Sequence, residues 1–208
     1  MESNFAAIVF DMDGVLIDAR DWHYEALNEA LSPFGLEISR EDHLKRYNGM
    51  TTQMKLDILT SENGLPRDLH PMIKKIKQDR TLRLAATFCF PNVHHLILVN
   101  RLKTLGFKIG VYTNSIRQTS EYMLRHSQIL SLLDCLITNE DVRNPKPNPE
   151  GYSLTCKLLN VDPRKVLVIE DGEYGVAAAL DAGCQIFRVK GPEEVNIENL
   201  SRVLKELL

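Results

Sequence analysis

Short, almost wholly apolar runs recur along the chain: Phe5–Phe10 (FAAIVF), Lys108–Tyr112 (KIGVY), Cys135–Thr138 (CLIT), Val166–Ile169 (VLVI) and Gln185–Val189 (QIFRV). A strand with no polar side to turn toward water belongs in a parallel sheet covered by helices on both faces. Helical patterns stand between the runs. From about Asn92 to Leu105, Val93, Leu96, Ile97, Leu102 and Leu105 fall near one face, with Gly106 as terminator. Asn148 can cap a helix whose first position is Pro149, and a third helix runs from about Glu173 to Ala182, ending at Gly183. This alternation predicts an α/β chain built on a doubly wound, Rossmann-like, mostly parallel sheet.

One segment interrupts the alternation. Trp22, Ala26, Leu27, Ala30, Leu31 and Phe34 form a helical stripe ending at Gly35, and further helix-like stretches follow through Leu84 without a buried strand. The expected organisation is therefore an α/β core from residues 1–15 and 88–208, with residues 16–87 inserted as a helical cap domain. An insertion after the first strand can cover that strand's carboxyl end, where open α/β sheets bind ligands.

Composition narrows the partners. The 208 residues are 44% hydrophobic and 25% charged with a formal charge of −3, which gives no bulk attraction to nucleic acid or to an anionic membrane. No apolar run is long enough to span a bilayer, and the N-terminus lacks the basic and apolar regions of a secretory signal, so a cytoplasmic location is expected. Cys89, Cys135, Cys156 and Cys184 contain no Cys-x-x-Cys pair and read as reduced thiols. No feature of the pattern specifies an oligomeric state.

The chemistry sits at the ends of the apolar runs. Asp11-Met12-Asp13-Gly14 directly follows the first, so both carboxylates emerge at the ligand-binding edge. Two acids one residue apart can divide labour, one attacking or binding a metal while the other handles a proton. An isolated Asp-x-Asp-Gly is a surface turn far more often than a site, and later features give this one its weight. Thr113-Asn114-Ser115 ends KIGVY and offers a hydroxyl and loop amides to phosphate oxygens. Lys146 lies among prolines in Asn-Pro-Lys-Pro-Asn-Pro, where a fixed cation can neutralise phosphate. Glu170-Asp171 closes VLVI and brings a second acidic pair to the same edge. Converging acids repel without a cation, and an all-oxygen set suits Mg2+.

The ordered set Asp11-Met12-Asp13-Gly14, Thr113-Asn114-Ser115, Lys146-Pro147 and Glu170-Asp171 resembles the haloacid-dehalogenase superfamily. The insertion after Asp13 is similar to that of its β-phosphoglucomutase and phosphoglycolate-phosphatase branch. The resemblance implies a Mg2+-dependent phosphatase acting on a small phosphorylated metabolite through an aspartyl-phosphate. By motif position, Asp11 is the implied nucleophile and Asp13 the acid and base, with Thr113, Asn114 and Lys146 holding the phosphoryl group. Asp11, the Asp13 backbone carbonyl and Asp171 would bind the metal, with Glu170 nearby or acting through water. Pro145 stands where Gly is common and Gly172 where Ser is common, and neither change removes a catalytic group. A phosphomutase is the alternative, but the cap Arg that grips a second phosphate in that branch would align near Thr52, which has no charge.

A different class, a receiver-like phosphoacceptor domain, also combines Asp, Thr, Lys and magnesium on a doubly wound sheet. Its phosphoacceptor follows a later strand, and it lacks an insertion of this size. His23 beside Trp22 reads as structural, His94-His95 as an exposed helix pair, and His43, His70 and His126 add no zinc pattern. There is no Gly-x-Gly dinucleotide signature, Walker loop or Gly-x-Ser-x-Gly elbow.

Overall fold

The computed structural model describes residues 5–205. The chain divides into two compact units, Met1–Asp18 with Cys89–Leu208, and Ala19–Phe88. The strands, all in the first unit, are β1 (Ala7–Phe10), β2 (Lys108–Tyr112), β3 (Cys135–Ile137), β4 (Val166–Glu170) and β5 (Gln185–Arg188). Helices α1 (Arg20–Leu31), α2 (Arg40–Asp42), α3 (Thr52–Asn63) and α4 (His70–Phe88) build the second. Helices α5 (Val93–Thr104), α6 (Arg117–His126), α7 (Glu150–Leu159), α8 (Glu173–Asp181) and α9 (Ile197–Leu200) return to the first.

The sheet runs β3-β2-β1-β4-β5 with every pair parallel, which is the doubly wound α/β architecture expected from the sequence. β1 lies at its centre with all four side chains buried. Alternation sends Ala7 and Val9 to one face, where they join Tyr112, Val166 and Val168 beneath Tyr152, Cys156 and Leu159 of α7 and Ala178 and Ala179 of α8. Chain order reverses between β1 and β4, so their carboxyl ends form the crevice in which folds of this kind take ligands.

Local chemistry sets the boundaries. β3 ends one residue earlier than expected because the Thr138 amide and hydroxyl both turn to Asp141 Oδ2 at 2.8 Å. Helix α7 begins at Glu150 rather than Pro149, with Asn148 Oδ1 accepting from the Glu150 amide at 3.0 Å. Asn92 caps α5 as expected, accepting from the His94 amide at 3.0 Å.

The orientation of α5 corrects the sequence reading. Its buried face carries His95, Leu98, Val99 and Leu102, while Val93 and Ile97 are 60% and 53% exposed. The expected exposed pair is therefore split, with His94 outside and His95 buried. Apolar residues surround most of this helix, so their pattern does not choose a face. The His95 ring supplies one anchor, its Nε2 lying 2.8 Å from the Pro192 carbonyl.

In the Ala19–Phe88 unit, Leu27, Ala30 and Leu31 of α1 pack with Leu56 and Leu59 of α3 and Ile73 of α4. Asn28 clamps the following loop, accepting from the Ile38 amide and donating to its carbonyl, both at 2.9 Å. Gly35 takes a positive φ of 69° after α1 and its short 3-10 extension Ser32–Phe34. His70 is buried against Gln53 and Thr60. Among the described residues, no single helix is long and apolar enough to cross a membrane.

Candidate active site

The sequence-selected residues of the first unit converge at the carboxyl edge of the sheet. The Asp11 amide continues the ladder by donating to Ile169 at 2.9 Å, and the Thr113 amide donates to Ile137 at 3.0 Å. Asp11, Thr113, Lys146 and Glu170 are all buried. Lys146, from the loop between β3 and α7, donates through Nζ to Asp11 Oδ1 and to Glu170 Oε1, each at 2.6 Å. Residues 135 and 24 positions apart in the chain thus share one ammonium.

The neighbouring loops lock this centre. Ser115 Oγ donates to Asp13 Oδ2 at 2.6 Å, tying the loop after β1 to the loop after β2. The Ser115 amide donates to Thr113 Oγ1 at 3.0 Å. Asn114, expected to bind phosphate, uses its side chain to grip the Lys146 backbone: Oδ1 accepts from the Lys146 amide at 3.1 Å and Nδ2 donates to its carbonyl at 3.3 Å. Gly14 has φ of 90°, and a Cβ there would run into the Asp171 carboxylate, so the turn needs glycine for both conformation and space. A Cβ at Gly175 would overlap the Glu170 carboxylate in the same way.

Charge is unbalanced here. Burial pushes the Asp11 carboxyl well above its ordinary range; Lys146 pulls it down, while Glu170, Asp171 and Asp13 push it up again. Burial works against the Lys146 ammonium as well, but Asp11 and Glu170 outweigh that penalty and hold it firmly protonated. Asp11, Glu170 and Asp171 each offer an oxygen, all within 4.8 Å of one another. An acid-rich, oxygen-only, largely buried group of this kind fits a hard divalent cation such as Mg2+. The Asp13 carboxylate lies outside that trio and is directed to Ser115.

Two aromatic residues escaped the sequence reading. Tyr112 and Tyr152 flank the Lys146 ammonium, with ring centroids 4.9 Å and 5.1 Å from Nζ. Tyr112 ends the KIGVY run and looked like ordinary core. Tyr152 sits six residues before the apolar pair Leu158-Leu159, with no local signal of a polar task. Its position six residues after Lys146, on the first turn of the helix that follows, was the available clue.

Comparison with known proteins agrees with this geometry. The family profile described as haloacid dehalogenase-like hydrolase matches residues 8–189. A phosphorylated carbohydrates phosphatase of Thermotoga maritima is 28% identical over 179 residues, covering 86% of this chain and 82% of that protein. A fructose-1-phosphate phosphatase of Escherichia coli is 26% identical over 193 residues, covering 91% and 99%. The crystal structure of β-phosphoglucomutase from Clostridium difficile shares the fold, with a TM-score of 0.84, 22% identity and coverage of 97% and 98%. With its sheet order, its clustered acids and a profile spanning most of its length, this chain belongs to the haloacid dehalogenase-like hydrolase family.

Proposed function

We propose that the protein is a Mg2+-dependent phosphatase that hydrolyses the phosphate monoester of a small metabolite, foremost a phosphorylated sugar, through a phosphoryl group carried on Asp11. The observation that carries this reading is the meeting of Asp11, Lys146 and Glu170 within hydrogen-bond distance at the β1/β4 crevice. The two named phosphatase relatives act on sugar-type phosphates, which supports the substrate class.

In this mechanism an Asp11 carboxylate oxygen attacks phosphorus while Asp13 donates its proton to the departing ester oxygen. The acyl phosphate on Asp11 is then cleaved at phosphorus by water, whose proton passes to the Asp13 carboxylate. Ser115 keeps Asp13 oriented through both halves. Thr113 and the Asn114 loop receive the phosphoryl oxygens, and Lys146 supplies fixed positive charge where negative charge spreads in the transition state. Mg2+ held by Asp11 and Asp171, with the Asp13 carbonyl and Glu170 beside it, would add the charge that the acids otherwise lack. Residues 16–87 act as the cap that selects the substrate.

The test is phosphate release across a panel of sugar phosphates and other small monoesters, with Mg2+ and after its removal by chelator, alongside a phosphoglucomutase assay. Release that needs Mg2+ and shows no isomerised sugar phosphate is expected. Absence of release from every ester contradicts the reading. The mutase alternative is disfavoured by Thr52, which opens α3 with a neutral side chain.

A further inference from the structure

Lysine is a compact charge on a flexible stem, and nothing intrinsic holds its ammonium in one place. Around Lys146 the fold supplies two walls. The Tyr112 and Tyr152 rings meet edge to face, with centroids 4.9 Å apart and an interplanar angle of 89°. Nζ lies 4.9 Å and 5.1 Å from the two ring centroids, inside the roughly 6 Å reach of cation–π attraction. Aromatic faces attract an ammonium without offering it a strong acceptor, so its donors turn toward the carboxylates of Asp11 and Glu170.

Tyr152 does more than enclose. Its buried hydroxyl donates to Glu170 Oε1 at 3.2 Å, the same oxygen that accepts from Lys146. The other oxygen, Oε2, accepts from the Gly172 amide at 3.0 Å. Glu170 is therefore held at both oxygens, and Tyr152 alone among these contacts touches the lysine with its ring and the acid with its hydroxyl. We propose that Tyr152 is a positioning residue: it fixes Glu170, and through Glu170 and its own ring it fixes the Lys146 ammonium against Asp11. Misplacement of a charged group by about 1 Å can cost 10²-fold in rate, so this small device has a large kinetic consequence. The kinetic part of the inference rests on the phosphatase reading; the positional part does not.

Two variants separate the ring from the hydroxyl. Tyr152→Phe keeps the wall and removes one donor to Glu170; Tyr152→Leu removes both. On the best ester from the panel, kcat is expected to fall about 10-fold for Tyr152→Phe with KM changed less than about two-fold, as for loss of one hydrogen bond to a charged group. For Tyr152→Leu the fall is expected to be about 100-fold, and the phenylalanine recovers the ring's share of it. Crystal structures of both variants are solved in parallel. They are expected to show a shifted Glu170 carboxylate in the first and Lys146 Nζ beyond hydrogen-bond distance of Asp11 in the second. Wild-type kcat in both variants, or an unmoved Glu170 and Lys146 in both structures, overturns the proposal. Should Tyr152→Leu fail to fold, the near-isosteric Tyr152→Phe decides through its kcat and its Glu170 position. If wild-type protein cleaves no ester, the phosphatase reading falls and the two variant structures still decide the positioning.

Discussion

Ion pairs occur in both units of this protein, but they do different work. At the carboxyl edge of the sheet, the side chains of Lys146 and Glu170 are each only 3% exposed, and Asp11 10%. In the Ala19–Phe88 unit, Lys45 and Glu41 pair while 75% and 72% exposed, and Arg67 and Asp57 while 69% and 40% exposed. Water screens and competes with the exposed pairs, so they add little to stability or geometry. The helical unit is held instead by apolar contact among α1, α3 and α4. At the sheet edge desolvation makes every charge expensive, and each must be matched by a partner at a fixed distance. Electrostatics specify the site, and packing specifies the helical unit.

Lys146→Met tests this contrast at its extreme. It leaves Asp11 and Glu170 buried without their shared ammonium, which should lower stability by about 3–5 kcal/mol and kcat/KM by at least about 10²-fold. Lys45→Met should leave both within experimental error. Urea unfolding and turnover measurements on the two variants decide the matter, and equal effects would erase the distinction.

A smaller effect sharpens the packing side. Leu56 is fully buried in the helical unit, and Leu56→Ala should cost about 2–5 kcal/mol through lost contact and the cavity left behind. Hydrogen exchange should accelerate across α1, α3 and α4 while β1, β2 and β4 keep their protection. Faster exchange throughout the sheet would contradict a helical unit stabilised by its own core.

The smallest expected effect is acid sensitivity at His43, which is buried in the same unit. Burial, with a smaller contribution from the nearby Lys55 and His23, lowers its pKa from 6.5 to about 4. The folded state then binds this proton less readily than the unfolded chain, so stability is full above pH 6.5 and declines as pH falls toward 4. The decline should reach roughly 1–2 kcal/mol by pH 5. His43→Phe, which keeps a ring beside Tyr24, should flatten that part of the profile without flattening the share due to His95, whose pKa burial also lowers. An unchanged profile would show that His43 is not its source.

The legible parts of the structure were those with local signatures. Burial of β1, β4 and all but the first residue of β2 shows as apolar runs, and their alternation with helical patterns gives the parallel, doubly wound sheet, whereas the strand order itself is a finding of the structure. The acids and lysine could be read because each stands at the end of a run. What escaped depends on the third dimension. The buried face of α5 could not be chosen from a helix apolar nearly all round, and His95 owes its burial to a carbonyl at Pro192, 97 residues away. Asn114 has a task that no local signature marks, its side chain bracing the Lys146 backbone 32 residues away. Tyr152 has no local signature of its polar task, which is visible only once α7 packs over β2 and β3 and its hydroxyl reaches Glu170.

The most direct test of the central claim is rapid quench of the enzyme with a radiolabelled phosphate ester and Mg2+, followed by mapping of the acid-stable, hydroxylamine-labile label. A transient acyl phosphate is expected on the peptide containing Asp11, absent in Asp11→Asn, whose turnover should fall below detection while its fold is retained. Normal turnover by pure Asp11→Asn, or a label on a different residue, would contradict it.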